Sequence, residues 1–296
     1  MFLIYLIFIF IYEGGRGSSI SSIICFWLKV KWVVWHITTK EMDLHTHDSS
    51  PFNLNYGIAA VLSTFSAFMV YSITLENVLP IPSLILAKKK DERFINMIVT
   101  TTHAAISSLW AMLCFYLDKD VVSDIQNHAT YPTYFLCCFS TGYFMHDVVQ
   151  NLRHRPLSLS WEILLHHFIV ISCYGIVIYA QIFINYSTVS LLVEFNSIFL
   201  HARQLCNIFE TPKSSTGFRV IGVLNIATFI IFRICVIGWM TRWLVIHFDE
   251  VSQPFNIIGA TGLAIMSVIN ITLFARVLIR DNWLFPYSDA QRKKTT

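Results

Sequence analysis

Seven apolar runs, most of them long enough to cross a bilayer, constrain this chain more than any other feature. They lie at Tyr56 to Leu75, Phe94 to Leu117, Tyr131 to Val149, Trp161 to Ile184, Ser187 to Leu205, Phe218 to His247 and Phe255 to Ile279. A spanning helix needs ~20 mostly apolar residues, because the hydrocarbon core offers no water to its backbone groups. Charged residues make up only 13% of the chain, against the ~25% of a soluble domain, so polar surface is too scarce to cover a globule. The expected fold is all-α, a polytopic transmembrane helical bundle of about seven spans.

The loops between these runs alternate in charge. Lys88, Lys89, Lys90 and Arg93 follow the first run, Arg153 and Arg155 the third, and Lys213 and Arg219 the fifth. Arg280, Arg292, Lys293 and Lys294 close the chain. The intervening loops are poor in Lys and Arg. By the positive-inside rule the C-terminus is cytosolic and the segment before Tyr56 is outside or lumenal. With the net charge only +3 and its basic residues confined to loops, nucleic acid is excluded as a partner.

Residues 1–55 read as a variable N-terminus with a polar linker. A signal or membrane anchor is the other reading of its apolar Met1 to Tyr12 stretch, although no basic region precedes it. His45-Thr-His47-Asp48 reads as solvated linker rather than as a metal site. Residues 56–87 form the first helix and loop, and 287–296 a cytosolic tail. The seven Cys show no metal spacing and no disulfide framework; Cys137-Cys138 reads as core. Of two sequons, Asn270-Ile-Thr272 is inside a run and Asn185-Tyr-Ser187 is almost flush with the membrane, a poor position for a glycan.

An ionisable group inside a bilayer must pair or meet water, so it is a functional candidate by default. The catalytic candidates are His166, His167, Glu194 and Asp147. His103, His146, Glu162, Asn196, His201, Arg203 and Arg233 are candidates for a polar core or lipid pocket. His166 and His167 lie ~8 Å inside the fourth run and His103 ~14 Å inside the second. Adjacent imidazoles in an apolar helix have poor packing value, and histidine moves protons near neutrality. A neighbouring carboxylate fixes its tautomer, which suits acyl transfer to a hydroxyl or amine. The expectation is a His-rich pocket open to the cytosolic leaflet. Structural alternatives exist for several members. Glu162 is placed as a first-turn acid, Asp147 to pair with Arg153 or Arg155, and Arg203 to snorkel to lipid phosphates. Arg233 is placed to neutralise Glu194 or Asp147.

Trp161-Glu162-Ile-Leu-Leu-His166-His167 resembles the TLC-domain family, the multispan fold shared with ceramide synthases and the translocating-chain-associating membrane proteins. The resemblance extends over 88–286, with six of the spans. It includes Thr102-His103-Ala104, Trp110-Ala-Met-Leu-Cys114, Phe139-Ser-Thr-Gly-Tyr-Phe144-Met-His146-Asp147, Leu191-Leu-Val-Glu194-Phe-Asn196, Arg203 and Phe232-Arg233. It is nearest to the branch of TLC domain-containing proteins one and two. Ceramide synthases carry a further acidic pattern downstream of the paired histidines. Here only Glu194 of Val193-Glu194-Phe195-Asn196 is acidic, so the chain departs from that chemistry.

The nearer branch implies a regulator of phospholipid composition and membrane fluidity, limiting polyunsaturated acyl chains and organising the plasma membrane. It implies partners among membrane lipids and acyl chains, with a lipid acyltransferase as a protein partner. No cofactor or metal is expected, and the endoplasmic reticulum is the alternative location. The alternative function is an acyl-CoA-dependent lipid acyltransferase using the His166/His167 pair, with acyl-CoA as substrate. A seven-helix receptor lacks its signature residues here. A zinc hydrolase would need His103, His166 and His201 to converge.

Overall fold

The computed structural model describes residues 52–79, 91–154 and 157–280. The N-terminal signal or anchor, His45-Thr-His47-Asp48, Lys88 to Lys90, Arg155, and the tail residues Arg292, Lys293 and Lys294 lie outside the described residues. So does the C-terminal segment's placement relative to the membrane.

The described residues are helical and connected by short turns. The helices are α1 Leu54–Val78, α2 Asp91–Leu117, the short α3 Asp120–Ser123, α4 Tyr131–His154 and α5 Leu157–Ala180. They continue with α6 Ile184–Leu191, α7 Glu194–Ile208, α8 Thr216–Phe229, a π-helical turn Ile230–Cys235, α9 Val236–Ile246 and α10 Gln253–Arg280. Five rods are long and apolar enough to cross a membrane: 54–78, 92–117, 161–180, 216–246 and 253–280. The remaining two expected spans are helical but different in kind. α4 is 24 residues long and more polar, because it carries the buried side chains described below. The fifth expected span is one rod interrupted at Leu192-Val193. Seven spans are consistent with this arrangement.

α4 is the centre of the packing. It contacts α1, α2, α5 and α6. Around it a closed circuit runs from α2 through α4, α5, α10, α9, the π turn and α7 back to α2, with α1 applied to the outside of α4 and α2. The shared core holds Phe68, Val99, Tyr134, Leu136, Cys137, Cys138, Tyr143 and Phe144, so the Cys137-Cys138 pair is core as expected. Large apolar side chains such as Ile58, Leu62, Val70, Val220, Val223, Ile257 and Val268 point outward. In water such surface would aggregate; in hydrocarbon it is the lipid face.

Close approach of α1 and α4 depends on Gly142. A Cβ there would sit 2.5 Å from the Val61 carbonyl and 2.8 Å from Thr64 Cβ. Small residues at such crossings let backbones touch, which is how helices associate where lipid removes the hydrophobic drive between them. Gln150 of α4 adds a polar clip, donating from Nε2 to Ser72 Oγ of α1 at 3.0 Å. The start of α1 is tied down too. Gln181, between α5 and α6, donates to the Phe52 carbonyl at 2.7 Å and accepts from the Phe52 amide at 3.3 Å.

The α2–α4 connection is pinned by Asp118, whose carboxylate meets His128 Nε2 at 2.9 Å and accepts the Asp120 amide at 2.9 Å. The His128 hydrogen bond, then the Asp120 amide, hold the Asp118 carboxyl below the usual carboxylate range. A depressed carboxyl pKa stabilises the fold above the unfolded value of ~3.9 and loses that contribution as pH falls through the folded value.

Gly142→Val is expected to lower stability by about 1–3 kcal/mol, as overpacking does, read as a lower unfolding temperature in detergent at constant pH. Lowering pH below ~4 is expected to loosen the Asp118 loop. Hydrogen-exchange protection at Asp120 to Asn127, corrected for the intrinsic rate at each pH, should fall in wild type and be already low, and independent of pH, in Asp118→Asn.

Candidate functional site

The predicted carboxylate–histidine pair is present, between α4 and α5. Asp147 Oδ2 lies 3.2 Å from His167 Nδ1. Two α4 residues hold that carboxylate from their own helix. Asn151 Nδ2 donates to Asp147 Oδ2 at 2.7 Å, and Tyr143 hydroxyl donates to Oδ1 at a long 3.5 Å. Spacing of four residues puts Tyr143, Asp147 and Asn151 on one helix face. All four side chains are buried. The face that carries Asp147 turns toward α5, which supplies an imidazole; the expected pairing with Arg155 lies outside the described residues.

A second polar cluster joins α7, the π turn and α10. Arg233 donates from Nη1 to Asn270 Oδ1 at 2.7 Å and from Nη2 to Ser197 Oγ at 2.8 Å. Both partners are neutral oxygens, and among the described residues Arg233 forms no ion pair with Glu194 or Asp147. Two helical irregularities create this meeting. At Leu192-Val193 the backbone tightens to three-residue bonds, Leu192 N–H to Val189 O and Val193 N–H to Ser190 O. On the facing rod the wider π turn contains Arg233. Such irregular turns re-aim side chains that a uniform helix would send elsewhere.

The second cluster borders a cavity of about 170 Å³ through Asn270. His166, Glu194 and Asn270 form its polar end. Everything beyond them is almost wholly apolar, including Ile169, Cys173 and Val177 of α5, Met240 and Leu244 of α9, and Leu263 and Met266 of α10. Phe183, Val251 and Phe255 line the far end. The cavity thus extends from His166 toward the C-terminal end of α5 and the N-terminal end of α10, away from the basic loops. On the basic-loop side Asp147, Asn151 and His167 occupy the α4–α5 seam.

His166 and His167 have different jobs. Their rings meet edge to face at 5.1 Å. His167 turns inward to Asp147, whereas His166 lines the cavity and has no hydrogen-bond partner among the described residues. Successive helical positions diverge by ~100°, which enforces the split.

The other candidates are distributed around the bundle. His103 is fully buried, stacked on Tyr143 at 3.7 Å, with Nε2 3.4 Å from Ser140 Oγ. His146 accepts from Gln150 Nε2 at 3.3 Å. Asn196 ties α7 to α8 through Asn225 and Thr228. Arg203 does not snorkel outward: it is buried, with its guanidinium 3.4 Å over the Phe218 ring. His201 is half-buried on α7, outside the cavity lining. Glu162 also stays out of the pocket. It forms a bidentate pair with Arg276 of α10, both bonds 2.6 Å, on the outer surface. Its carboxylate points to the α5–α10 seam rather than capping its own helix. Among the described residues no three His, Cys, Asp or Glu side chains are grouped to hold a metal ion, so His103, His166 and His201 do not converge. Both sequon asparagines are buried: Asn185 donates to the Asp124 carbonyl, and Asn270 holds Arg233.

Sequence reasoning missed Tyr143, Asn151, Ser197 and Asn270 as members of these clusters. The four-residue spacing from Asp147 could have found Tyr143 and Asn151. Asn270 was visible as an amide inside an apolar run, but its partner was not.

Residues 93–279 match the sequence model of the TLC domain. Zebrafish (Danio rerio) TLC domain-containing protein 2 is 37% identical over 204 residues, covering 69% of this chain and 81% of that protein. The mouse (Mus musculus) protein of the same name is 30% identical over 230 residues, 77% of this chain and 72% of its own. Human TLC domain-containing protein 1 is 28% identical over 189 residues, 64% of this chain and 75% of its own. No solved structure matches.

Removing a buried donor leaves the groups it held unsatisfied, at about 1–3 kcal/mol each. Arg233→Met is therefore expected to destabilise the protein by that order, read by thermal unfolding in detergent. Arg233→Met combined with Asn270→Leu, which removes the stranded acceptor as well, is expected to recover part of the loss.

Proposed function

The chain belongs to the TLC-domain family, and from that premise we propose that it regulates membrane lipid composition and fluidity by holding acyl chains in its cavity. In this reading it limits the entry of polyunsaturated chains into phospholipids, acting on a lipid acyltransferase partner or on the acyl chains that partner would use. The plasma membrane is the proposed location, with the endoplasmic reticulum as the alternative. The reading draws on the relatives' family membership and on one observation above all: the histidine with a carboxylate partner is not the histidine in the cavity. A general base that activates a nucleophile works best when a third group orients it. His166 faces the cavity with no such group, and His167, which has Asp147, faces away. An almost wholly apolar cavity ending in a few polar groups suits retention of a chain. No cofactor enters this reading.

A second reading has its own support. His166 and Glu194 line the same end of the cavity, so a base and a carboxylate bracket the place where a chain's polar end would sit. An acyltransferase using acyl-CoA as substrate would employ them there, with His167 and Asp147 as support.

The test is a mass-spectrometric lipid profile of cells lacking the protein, supplied with polyunsaturated fatty acid, and of the same cells restored with wild type or His166→Asn. Under the regulator reading, loss of the protein raises polyunsaturated phospholipids, ceramides hold steady, and His166→Asn keeps most of the restoring effect. Complete loss of effect in a variant of normal abundance, with acyl-CoA consumption by purified wild type only, would establish the transfer reading instead.

A further inference from the structure

We propose that Gly259 of α10 sets the length of acyl chain the cavity accepts, an inference that rests on the acyl-chain reading of that cavity. α10 presents a stripe to the cavity at Phe255, Gly259, Leu263, Met266 and Asn270, spaced three or four residues apart, so all lie on one helical face. The opposite positions, Ile257, Ala264 and Val268, are exposed to lipid. Every other member of the stripe places a side chain in the cavity. Gly259 alone on it leaves a gap, and a Cβ built there would meet no atom within 4 Å. At Gly262, which also lines the cavity, a Cβ would already meet Cys173 Sγ at 3.4 Å and Ile169 at 3.5 Å. The open space therefore belongs to Gly259.

The position of that space gives it meaning. Asn270 marks the polar end of the cavity beside His166 and Glu194. Gly259 is eleven residues away on the same helix, so ~16 Å along it at 1.5 Å per residue. Half of a ~30 Å hydrocarbon core is about the length of a lipid chain in its leaflet. A chain anchored at Asn270, His166 and Glu194 and running along α10 ends beside Gly259. A side chain at 259 would occupy the volume of its last methylenes. Met240 closes the wall from α9, packed beside Leu263 one turn away, so shortening it enlarges the same region.

The experiment uses full-length protein purified in mild detergent and a series of photoactivatable straight-chain fatty acids of graded length. Crosslinking yield is measured for wild type, Gly259→Leu, Met240→Ala and, as a control on the lipid face, Val268→Leu. Wild type is expected to show an optimum length. Gly259→Leu should move the optimum to shorter chains and cut the yield for wild type's best chain about fourfold for each methylene excluded. Met240→Ala should move it to longer chains, a shift that misfolding cannot produce. Val268→Leu should match wild type.

If wild type crosslinks chains inside the cavity but both variants keep its optimum, the assignment to Gly259 is overturned while the acyl-chain reading stands. If wild type labels no cavity residue with any length, the acyl-chain reading itself falls and the length proposal with it.

Discussion

Arg233 cannot be left alone in the middle of a bundle that lies in hydrocarbon. A stranded guanidinium would cost several kcal/mol, and no water is at hand to relieve it. Its two Nη groups are answered by Asn270 of α10 and Ser197 of α7. Three separate rods are thereby fixed at one depth. α10 is also joined to α5, six residues beyond Asn270, by Glu162 and Arg276, and it packs on α9 as well. The space enclosed in between is the cavity.

The same rule explains why the polar groups divide into two sets. Asp147, also ionisable and also buried, accepts from Asn151 and faces His167 at 3.2 Å within the α4–α5 seam. That contact turns His167 inward. Its neighbour His166, turned by ~100°, is the one that reaches open space. Adjacent histidines thus serve packing on one side and exposure on the other. Reading them as a single functional pair joins two positions that the helix keeps apart.

Much of the fold was legible in the sequence because apolar runs and alternating basic loops are strong, local signals. The all-helical bundle follows from them, and so does membership of the family, whose short motifs keep their order along the chain. Depth was legible too, since 1.5 Å per residue places a side chain along a straight rod. Direction was not. The tightened turn at Leu192-Val193 and the π turn around Arg233 leave no mark in hydropathy, yet they decide that Ser197 and Arg233 meet. Glu162 shows the same limit from the other side. Its spacing to His166 puts them on one face, but a bidentate guanidinium on α10 draws its carboxylate outward. The direction of the cavity was equally hidden, because it depends on which seams are filled, and Asp147 with Asn151 fills the one nearest the basic loops.

Irregular turns and enclosed space occur at the same depth here for a physical reason. A uniform helix presents side chains at fixed angles, so two uniform helices pack through continuous ridges and leave little room. Tightening one rod at Leu192-Val193 and loosening the facing one at Ile230–Cys235 puts the two out of step. Beyond the defect Val189 and Tyr186 of α6 still pack against Met240 and Trp243 of α9, and the cavity lies beside that contact. Holding such volume empty forfeits dispersion contacts along its whole lining. The polar network at Arg233 keeps the rods from collapsing into it, and a lipid chain would restore the missing contacts without disturbing a single hydrogen bond described above. A bundle built this way gains most from an occupant that is long, apolar and polar only at one end.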